Sequence, residues 1–508
     1  MESNVELTEI QQFYKNRTFF LTGITGLLGK LVLEKILRSF QVKRIYVLVR
    51  DKDGSDAETR CAAAMDSMAF GPLRRVDPEF FNKVSLIVGD CEKPDLGLNE
   101  YDKNLIMSEV ECIFHCAATV DLGASLKKAA LTNVKATRDL LDIAKQMKNL
   151  KTFVYISSVH SNFPQYEIHE KFYDLTGGKL VEILEFSNDQ ILDERASELL
   201  QGWPNAVAYT MNVAEDVIRR HGKSLPLCVI RPSLMVSSAE EPVTGYIEGI
   251  SGLQGATVSY ALGINRVNYY ENGTLDIVPV DYVVSIVVAA GWYTGLQNIR
   301  MGKGESSTTE PPIYHCISSQ EKPVTTDEWM GVTETECKEV PSVKMCQLPM
   351  SFQTACYQNY MLLTFLLHTC MAFLCDICLK FVGKKPVIMD IYKKLHKDQE
   401  NFRPYLLRQW YFSNDNTQKL LKRMSFKDRE LFNFDILTLN WQAYFVNYVR
   451  GVRVYLLKDP LSTVTEGKKK QEKKFMVQVI TASFICVALY IIGKILLYKV
   501  IFKLFRKY

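Results

Sequence analysis

The sequence has little of what identifies a nucleic-acid-binding or secreted protein. Its 508 residues carry 61 Lys and Arg against 57 Asp and Glu, so the net charge is only +4. It has no basic stripe with interleaved aromatic residues, which argues against nucleic acid as a partner. Residues 1–16 are polar and lack the apolar run of a secretory signal. The chain also shows no internal repeat and no low-complexity tract.

The cysteines form no disulfide framework. There are thirteen, an odd number scattered along the chain, which favours a reducing compartment. Cys375 and Cys378 have the spacing of a metal or redox pair, but no second pair accompanies them. We therefore expect two buried thiols there and no metal site.

One glycine-rich stretch, Thr22–Lys30, organises the chain. It follows the apolar run Phe19–Leu21 and opens a segment of helical periodicity, the context that a dinucleotide-binding turn requires. Gly23 permits a tight turn, Gly26 lets the backbone approach a pyrophosphate, and Gly29 lets the helix pack on the strand. The helix N-terminus then faces the phosphates. The residues predicted to bind the cofactor in this stretch are Thr22, Gly23, Thr25, Gly26, Leu27, Leu28 and Gly29.

Short apolar runs alternate with helical segments over the first half of the chain. This alternation predicts an α/β, Rossmann-type, doubly wound parallel sheet. The runs predicted as its strands are 19–21, 45–49, 84–88, 112–114, 153–156 and 227–230.

Four residues after these strands bear on the cofactor. Arg50 follows the second strand where NAD-binding units usually carry an acid, and an arginine there can pair with a 2′-phosphate, which favours NADPH. Asp51 follows directly and could instead bind a ribose hydroxyl. Asp90, after the third strand, could accept a hydrogen bond from the adenine amine or serve as a turn residue. Ala117 belongs to a run of small residues that lets the cofactor lie close.

The second half divides differently. A polar, irregular stretch, residues 305–342, separates a reductase domain (12–304) from a helical C-terminal domain (343–460). Met361–Val382 is apolar but interrupted by polar residues, which indicates a buried or membrane-surface helix.

The segment 475–498 is predicted to be a transmembrane anchor, because Phe475–Gly493 carries no charge and can cross about 30 Å of hydrocarbon. An anchor so late in the chain implies that the preceding domains face the cytosol.

Four motifs together resemble the extended short-chain dehydrogenase/reductases: the glycine stretch, Phe114–Ala118, Ser157-Ser158 and Tyr209. The closer resemblance, over residues 12–460, is to the alcohol-forming fatty acyl-CoA reductases, particularly those of insects. The stretches that support it include Ile45–Arg50, Asp121–Asn133, Arg231–Ser233, Val278–Asp281, Lys384–Pro386 and Trp410–Asn414.

The resemblance implies an NADPH-dependent enzyme that reduces long-chain acyl-CoA to an aldehyde and then to a primary alcohol. It implies a membrane location, in the endoplasmic reticulum or the peroxisome. Ser158, with Ser157 as the alternative, would donate to the oxyanion, and Tyr209 would act as general acid. Asn133 would hold water or backbone in the proton relay, and Arg231 would lie at the cofactor.

One departure from the family pattern is plain. The family has Tyr-x-x-x-Lys, in which the lysine lies one helical turn beyond the tyrosine and lowers the pKa of the phenol. Here that position is Val213. Two alternatives therefore stand beside the reductase: a catalytically silent relative that binds NADP(H) or acyl-CoA, and another membrane-bound dehydrogenase such as a sterol dehydrogenase. The oligomeric state is not predicted.

Overall fold

A seven-stranded parallel β-sheet forms the centre of the molecule, for which a computed structural model describes residues 6–174, 196–301 and 310–505. In chain order the strands are β1 (Thr18–Thr22), β2 (Arg44–Val49), β3 (Val84–Val88), β4 (Cys112–His115), β5 (Thr152–Ile156), β6 (Leu227–Pro232) and β7 (Ile313–Cys316). Across the sheet the order is β7-β6-β5-β4-β1-β2-β3, and all neighbouring pairs are parallel. The strand order reverses between β1 and β4, which is the crevice where such sheets bind ligands.

Helices cover the sheet and continue beyond it. The α-helices are α1 (Glu9–Tyr14), α2 (Leu27–Ser39), α3 (Ala57–Met65), α4 (Gly71–Val76), α5 (Glu100–Glu109), α6 (Leu126–Ala129), α7 (Ala136–Gln146), α8 (Ala196–Leu199), α9 (Ala206–His221), α10 (Gly252–Ala261), α11 (Val280–Met301), α12 (Thr326–Glu339), α13 (Tyr357–Thr364), α14 (Met371–Phe381), α15 (Ile388–Leu407), α16 (Asp415–Arg423), α17 (Phe426–Leu431), α18 (Trp441–Gly451) and α19 (Val464–Phe505). Wider helical turns, Ala130–Lys135 and Phe365–Cys370, join α6 to α7 and α13 to α14.

The two faces of the sheet bury separate hydrophobic clusters. Along β1, Phe19 and Leu21 belong to one cluster and Phe20 to the other, because successive strand side chains point to opposite faces. Helices α2 and α11 contribute to the first cluster, and α7 and α9 to the second. The doubly wound fold and all six predicted strands are confirmed.

Strand β7 was not predicted. It lies within the stretch expected to be an irregular boundary, yet it pairs with β6 from Ile313 against Val229 to Cys316 against Pro232. Helix α12 follows it. The chain from 310 onward therefore continues the reductase sheet, while residues 302–309 of the predicted boundary lie outside the described residues.

The C-terminal helices share the core of the sheet domain. The hydrophobic cluster of the first face includes Leu420 of α16 and Phe432 beyond α17. From α18, the Tyr444 hydroxyl donates to the carbonyl oxygen of Ser237 (2.9 Å), and the Tyr448 hydroxyl donates to Thr257 Oγ1 (2.7 Å). The helical region thus packs directly on the elements that follow β6.

The apolar segment Tyr357–Phe381 is exposed. By length and composition it is the one described helical segment that could cross a membrane, with a mean hydropathy of 2.0 and 17% of its most apolar stretch buried. Its polar residues turn inward: His368 bonds to His396 (2.9 Å), and Asp376 accepts from three backbone N–H groups at the start of α15.

The outward face of this segment is correspondingly apolar. The exposed large side chains between 361 and 374 are Met361, Leu362, Phe365, Leu366, Met371, Phe373 and Leu374. The expectation that Cys375 and Cys378 are buried is wrong, because both lie exposed on α14, the outer part of this segment. Exposure rather than burial is what this segment shows.

The predicted anchor 475–498 lies within α19. This helix begins at Val464 and continues to Phe505, so the anchor and the basic residues before it form one element. Many side chains beyond residue 480 lie outside the described residues.

Candidate active site

Two glycines of the turn after β1 are required by the fold itself. Gly23 has a φ of +81°, and a Cβ there would lie 2.7 Å from the backbone N of Ala117. A Cβ on Gly29 would overlap the carbonyl oxygen of Gly23, so only glycine lets α2 pack this close to the turn. Both observations agree with the roles that the sequence predicted for these residues.

Gly26 has a different reason to be glycine. A Cβ there would meet only the Gly23 carbonyl oxygen, at 3.5 Å, so the protein leaves the space above Gly26 open. Gly26 is also the N-cap of α2, and no side chain caps that helix. An uncapped helix N-terminus beside open space fits the pyrophosphate of a dinucleotide, which needs backbone N–H donors and close approach.

The other residues of the turn surround this opening. Thr25 is exposed, Leu27 is half-buried and Leu28 is buried. Thr22 Oγ1 accepts from the backbone N–H of Ala117 (3.1 Å) and lies 2.7 Å from His115 Nδ1. These bonds tie the ends of β1 and β4 together at the crevice. Burial lowers the pKa of His115 to about 4, so its ring is neutral at pH 7.

Arg50 and Asp90 lie together after β2 and β3. Arg50 NH1 contacts Asp90 Oδ1 at 3.0 Å and Glu92 Oε1 at 2.6 Å. The Arg50 side chain is 29% exposed. Its guanidinium is therefore an accessible cation at the edge of the crevice. A 2′-phosphate would compete with the two carboxylates for this cation.

The two serines after β5 have different environments. Ser157 is buried, and its hydroxyl bonds to the carboxylate of Glu215. Ser158 is half-buried, and its Oγ accepts from the backbone N–H of His160 at 3.2 Å. Ser158 thus has an oriented oxygen whose own proton is available to a ligand. The geometry favours Ser158 over the alternative Ser157 as the hydroxyl donor.

Tyr209 lies on α9, inside the hydrophobic cluster of the second face, where its ring contacts that of Trp203 (5.6 Å between centroids). Its phenolic oxygen is buried and has no hydrogen-bond partner among the described residues. Burial raises the pKa of Tyr209 to about 12, so the group is protonated at pH 7 and has a proton to donate. Val213, one turn further, is buried in the same cluster, and among the described residues no cation acts on Tyr209 in place of the missing lysine.

Asn133 connects the loop after β4 to helix α9. Its Oδ1 accepts from the backbone N–H of Thr119 (2.9 Å), and its Nδ2 donates to Thr210 Oγ1 (3.0 Å). Thr210 is the neighbour of Tyr209 on α9. Asn133 therefore positions the loop after β4 against α9, and the structure brings it beside the predicted general acid through this bond.

The prediction that Arg231 binds the cofactor is wrong. Arg231 is fully buried, with Nε and NH2 on the carboxylate of Glu215 (2.9 and 2.6 Å). Its remaining N–H groups face the carbonyl oxygens of His169 and Lys171, at 3.1 Å each, and the His315 ring at 3.2 Å. No N–H group of Arg231 is left for a ligand, so Arg231 stabilises the buried residues around Glu215.

Glu215 is the residue that the sequence reading missed. It joins Ser157, Ser161 (2.8 Å) and Arg231 in one buried network beneath Ser158. Glu215 directly follows the apolar pair Val213-Ala214 in α9, and that position was the available signal, because a buried carboxylate requires a partner.

Three features together define a nicotinamide-dependent oxidoreductase: the doubly wound sheet, the glycine turn at the uncapped start of α2, and the hydroxyl donors after β5. The comparisons with known proteins make this class specific. Family models described as male sterility protein match residues 21–287, the NAD-binding part, and residues 367–459.

Similar proteins span nearly the whole chain. It is 32% identical to the fatty acyl-CoA reductase wat of Drosophila melanogaster, over 91% of this chain and 89% of that protein. It is also 32% identical to fatty acyl-CoA reductase 1 of Homo sapiens, over 92% and 90% respectively. The chain belongs to the fatty acyl-CoA reductase family.

Solved structures share the fold. The terminal R domain of the myxalamid PKS-NRPS pathway aligns with a TM-score of 0.58 at 20% identity, over 87% of this chain and 92% of that one. The reductase domain of a nonribosomal peptide synthetase from Mycobacterium tuberculosis aligns with a TM-score of 0.54 at 18% identity, with the same coverage. Both likenesses concern the architecture.

Proposed function

We propose that this protein reduces long-chain acyl-CoA to a primary alcohol with NADPH, through an aldehyde. The observation that carries the proposal is the open space above Gly26 at the uncapped start of α2, in a chain of this family. That space would accept a dinucleotide, and the Ser158 hydroxyl follows β5, the next strand but one, at the same edge of the sheet. The substrate class comes from the names of the relatives.

Two side chains of the protein can stabilise the negative charge that each reduction creates. A bound nicotinamide supplies hydride, and each transfer places negative charge on the former carbonyl oxygen. Ser158 Oγ accepts from the backbone N–H of His160, and among the described residues its hydroxyl proton has no acceptor, so it can donate to the substrate oxygen. Tyr209 is held protonated by burial and can donate its phenolic proton if the substrate reaches it.

A silent relative that binds the same ligands is the second candidate. Val213, buried among apolar side chains, supports it, because no lysine is available to tune Tyr209 or bind the ribose. Placing a lysine there would not decide the matter. An ammonium group buried without a partner would destabilise the fold.

Alcohol formation by the wild type separates the two candidates, and Tyr209→Phe tests the assigned general acid. Microsomes containing the wild type should convert acyl-CoA and NADPH to alcohol, and Tyr209→Phe should lower the rate about 10²-fold or more, the usual effect of losing a general acid. Tyr101→Phe, an exposed tyrosine, is the matched control and should keep full activity. An inactive wild type that still binds NADPH would favour the silent relative, and full activity in Tyr209→Phe would assign the proton to another group.

The preference for NADPH depends on Arg50. Its guanidinium stands partly exposed after β2, where a 2′-phosphate would lie. Wild-type protein should bind NADPH more tightly than NADH, and Arg50→Ala should lower NADPH affinity about tenfold while NADH affinity stays unchanged, since a charged hydrogen bond is worth about 1.5 kcal/mol or more. Titration of nicotinamide fluorescence measures both. Equal affinities in the wild type would contradict the assignment.

The protein is proposed to act on the membrane of the endoplasmic reticulum or the peroxisome, with the catalytic region facing the cytosol. The exposed apolar segment Tyr357–Phe381 and the uncharged run Phe475–Gly493 support the membrane placement. Protease added to intact organelles should therefore digest the reductase region. Protection of that region until detergent is added would reverse the orientation.

A further inference from the structure

A cavity lies away from the cofactor crevice, partly among the C-terminal helices. Its volume is about 360 Å³, within the range of small-molecule sites, and its walls come from α10, α12, α13 and α15. The apolar part of the lining includes Leu253, Trp329, Met330, Ile391, Phe402 and Leu406.

Several polar groups in the wall bond to one another. Asn265 Nδ2 donates to Asn268 Oδ1 (2.7 Å), Gln399 Nε2 donates to Asn265 Oδ1 (3.3 Å), and the Tyr360 hydroxyl donates to Gln399 Oε1 (3.3 Å). Two buried polar atoms of the lining, Trp329 Nε1 and Thr333 Oγ1, have no hydrogen-bond partner among the described residues, but most of the wall is hydrocarbon. Such a wall suits an aliphatic chain better than a polar ligand.

One wall residue of this cavity is shared with a smaller cavity beside His160. Leu406 lines both, and the wall of the smaller cavity includes His160, Tyr405 and Trp410. The backbone N–H of His160 is the group that orients Ser158 Oγ. Burial lowers the pKa of His160 to about 3, so its ring is neutral at pH 7 and adds no charge to the wall of the smaller cavity.

One end of the cavity approaches the exposed apolar segment. Tyr360, on that segment, lines the cavity, as does Ile391 at the start of α15. From Ile391 to Leu406 along α15 is about 22 Å at 1.5 Å per residue, so the cavity wall has the dimension of a long chain.

We propose that this cavity holds the hydrocarbon chain of the acyl-CoA, with the thioester at the Leu406 end and the chain terminus at the Ile391 end. The assignment rests on the proposed function for the identity of the ligand. Its own evidence is the apolar wall, the shared residue Leu406 and the length of α15.

A substitution at the far end tests the assignment through chain length. Leu395→Trp, in full-length protein, should fill the Ile391 end and lower activity with an 18-carbon relative to a 12-carbon acyl-CoA about tenfold, the effect of losing roughly two buried methylenes. Lys393→Trp, exposed on the same helix, is the matched control and should leave the ratio unchanged. Unchanged NADPH binding in both variants verifies that they fold. An unchanged ratio in Leu395→Trp would overturn the proposal.

Photolabelling separates failure of the cavity from failure of the reaction. An acyl-CoA with a diazirine at the chain terminus should label peptides of α10, α12 or α15 in the full-length protein. Such labelling without alcohol formation would keep the cavity and reject the reaction. Alcohol formation with labelling elsewhere would keep the reaction and reject the cavity.

Discussion

At the scale of the residue, the glycine turn shows that identical residues can be required for different reasons. Gly29 is glycine because a side chain would collide with the carbonyl oxygen of Gly23, whereas Gly26 faces open space and has an ordinary φ of −93°. Packing requires glycine at position 29, whereas the proposed pyrophosphate requires it at position 26. The sequence motif alone does not distinguish them.

Alanine at each position should separate the two demands. Gly26→Ala should keep the thermal stability of the wild type and lower NADPH affinity at least about tenfold, since one or two charge-assisted bonds of about 1.5 kcal/mol each are lost. Gly29→Ala should lower the unfolding temperature itself. Differential scanning fluorimetry and cofactor titration measure the two effects. If Gly26→Ala lost stability and kept affinity, the pyrophosphate would not lie above this residue.

The limits of sequence reading also appear among single residues. The glycine turn is local, so its spacing was enough to place Thr22, Gly23 and Gly29. The partner of Arg231 is Glu215, which comes from another element, and nothing in the order of residues indicates that pairing. Burial decides such cases, because an arginine whose donors are all bonded inside the protein cannot serve a ligand.

At the scale of the element, prediction succeeded where apolar runs alternate with helical segments. Runs such as Ile45–Val49 stand out in the sequence, whereas β7, no shorter than β4, follows a polar stretch. Its place is fixed by pairing with β6, about eighty residues earlier in the chain. The exposed segment Tyr357–Phe381 was ambiguous for a related reason: its polar residues look like interruptions until their partners in other elements are known.

Glu170 joins several of these elements and predicts a pH dependence. Its carboxylate accepts from the backbone N–H of His315 (2.8 Å) in β7 and from Thr417 (3.2 Å) in α16. Burial raises its pKa from 4.5 to about 7. The folded state therefore binds the proton more tightly than the unfolded state, and the stability from this group is full below about pH 4.5 and lost as the pH rises through 7.

The comparison with Glu170→Gln isolates this effect. Between pH 4.5 and 7.5 the unfolding temperature of the wild type should fall relative to that of Glu170→Gln, which cannot titrate, and above pH 8 the difference should be constant. Thermal unfolding in a pH series measures it. A difference that does not change with pH would mean that Glu170 stays ionised throughout.

At the scale of the whole molecule, two apolar elements accompany one reductase fold. The C-terminal helices share the core of the sheet domain. The segment Tyr357–Phe381 contacts the chain after α10 through His368, whose Nε2 accepts from the backbone N–H of Arg266 (2.9 Å). Helix α19 instead extends past the last packed elements as one helix from Val464. A bilayer contacting both would hold the long cavity close to its surface.

Stepwise removal of the two elements should release the protein from membranes stepwise. A chain ending before Phe475 loses the uncharged span and should be retained less than the full chain after carbonate washing. It should not be fully released, because the side chains of Leu366 and Phe373 remain exposed on the apolar segment. Replacing both with Asp should release the rest, since charged side chains are costly in hydrocarbon. Complete release of the truncated chain with its apolar segment intact would mean that α19 alone is the anchor, and full retention after all three changes would place the anchor elsewhere.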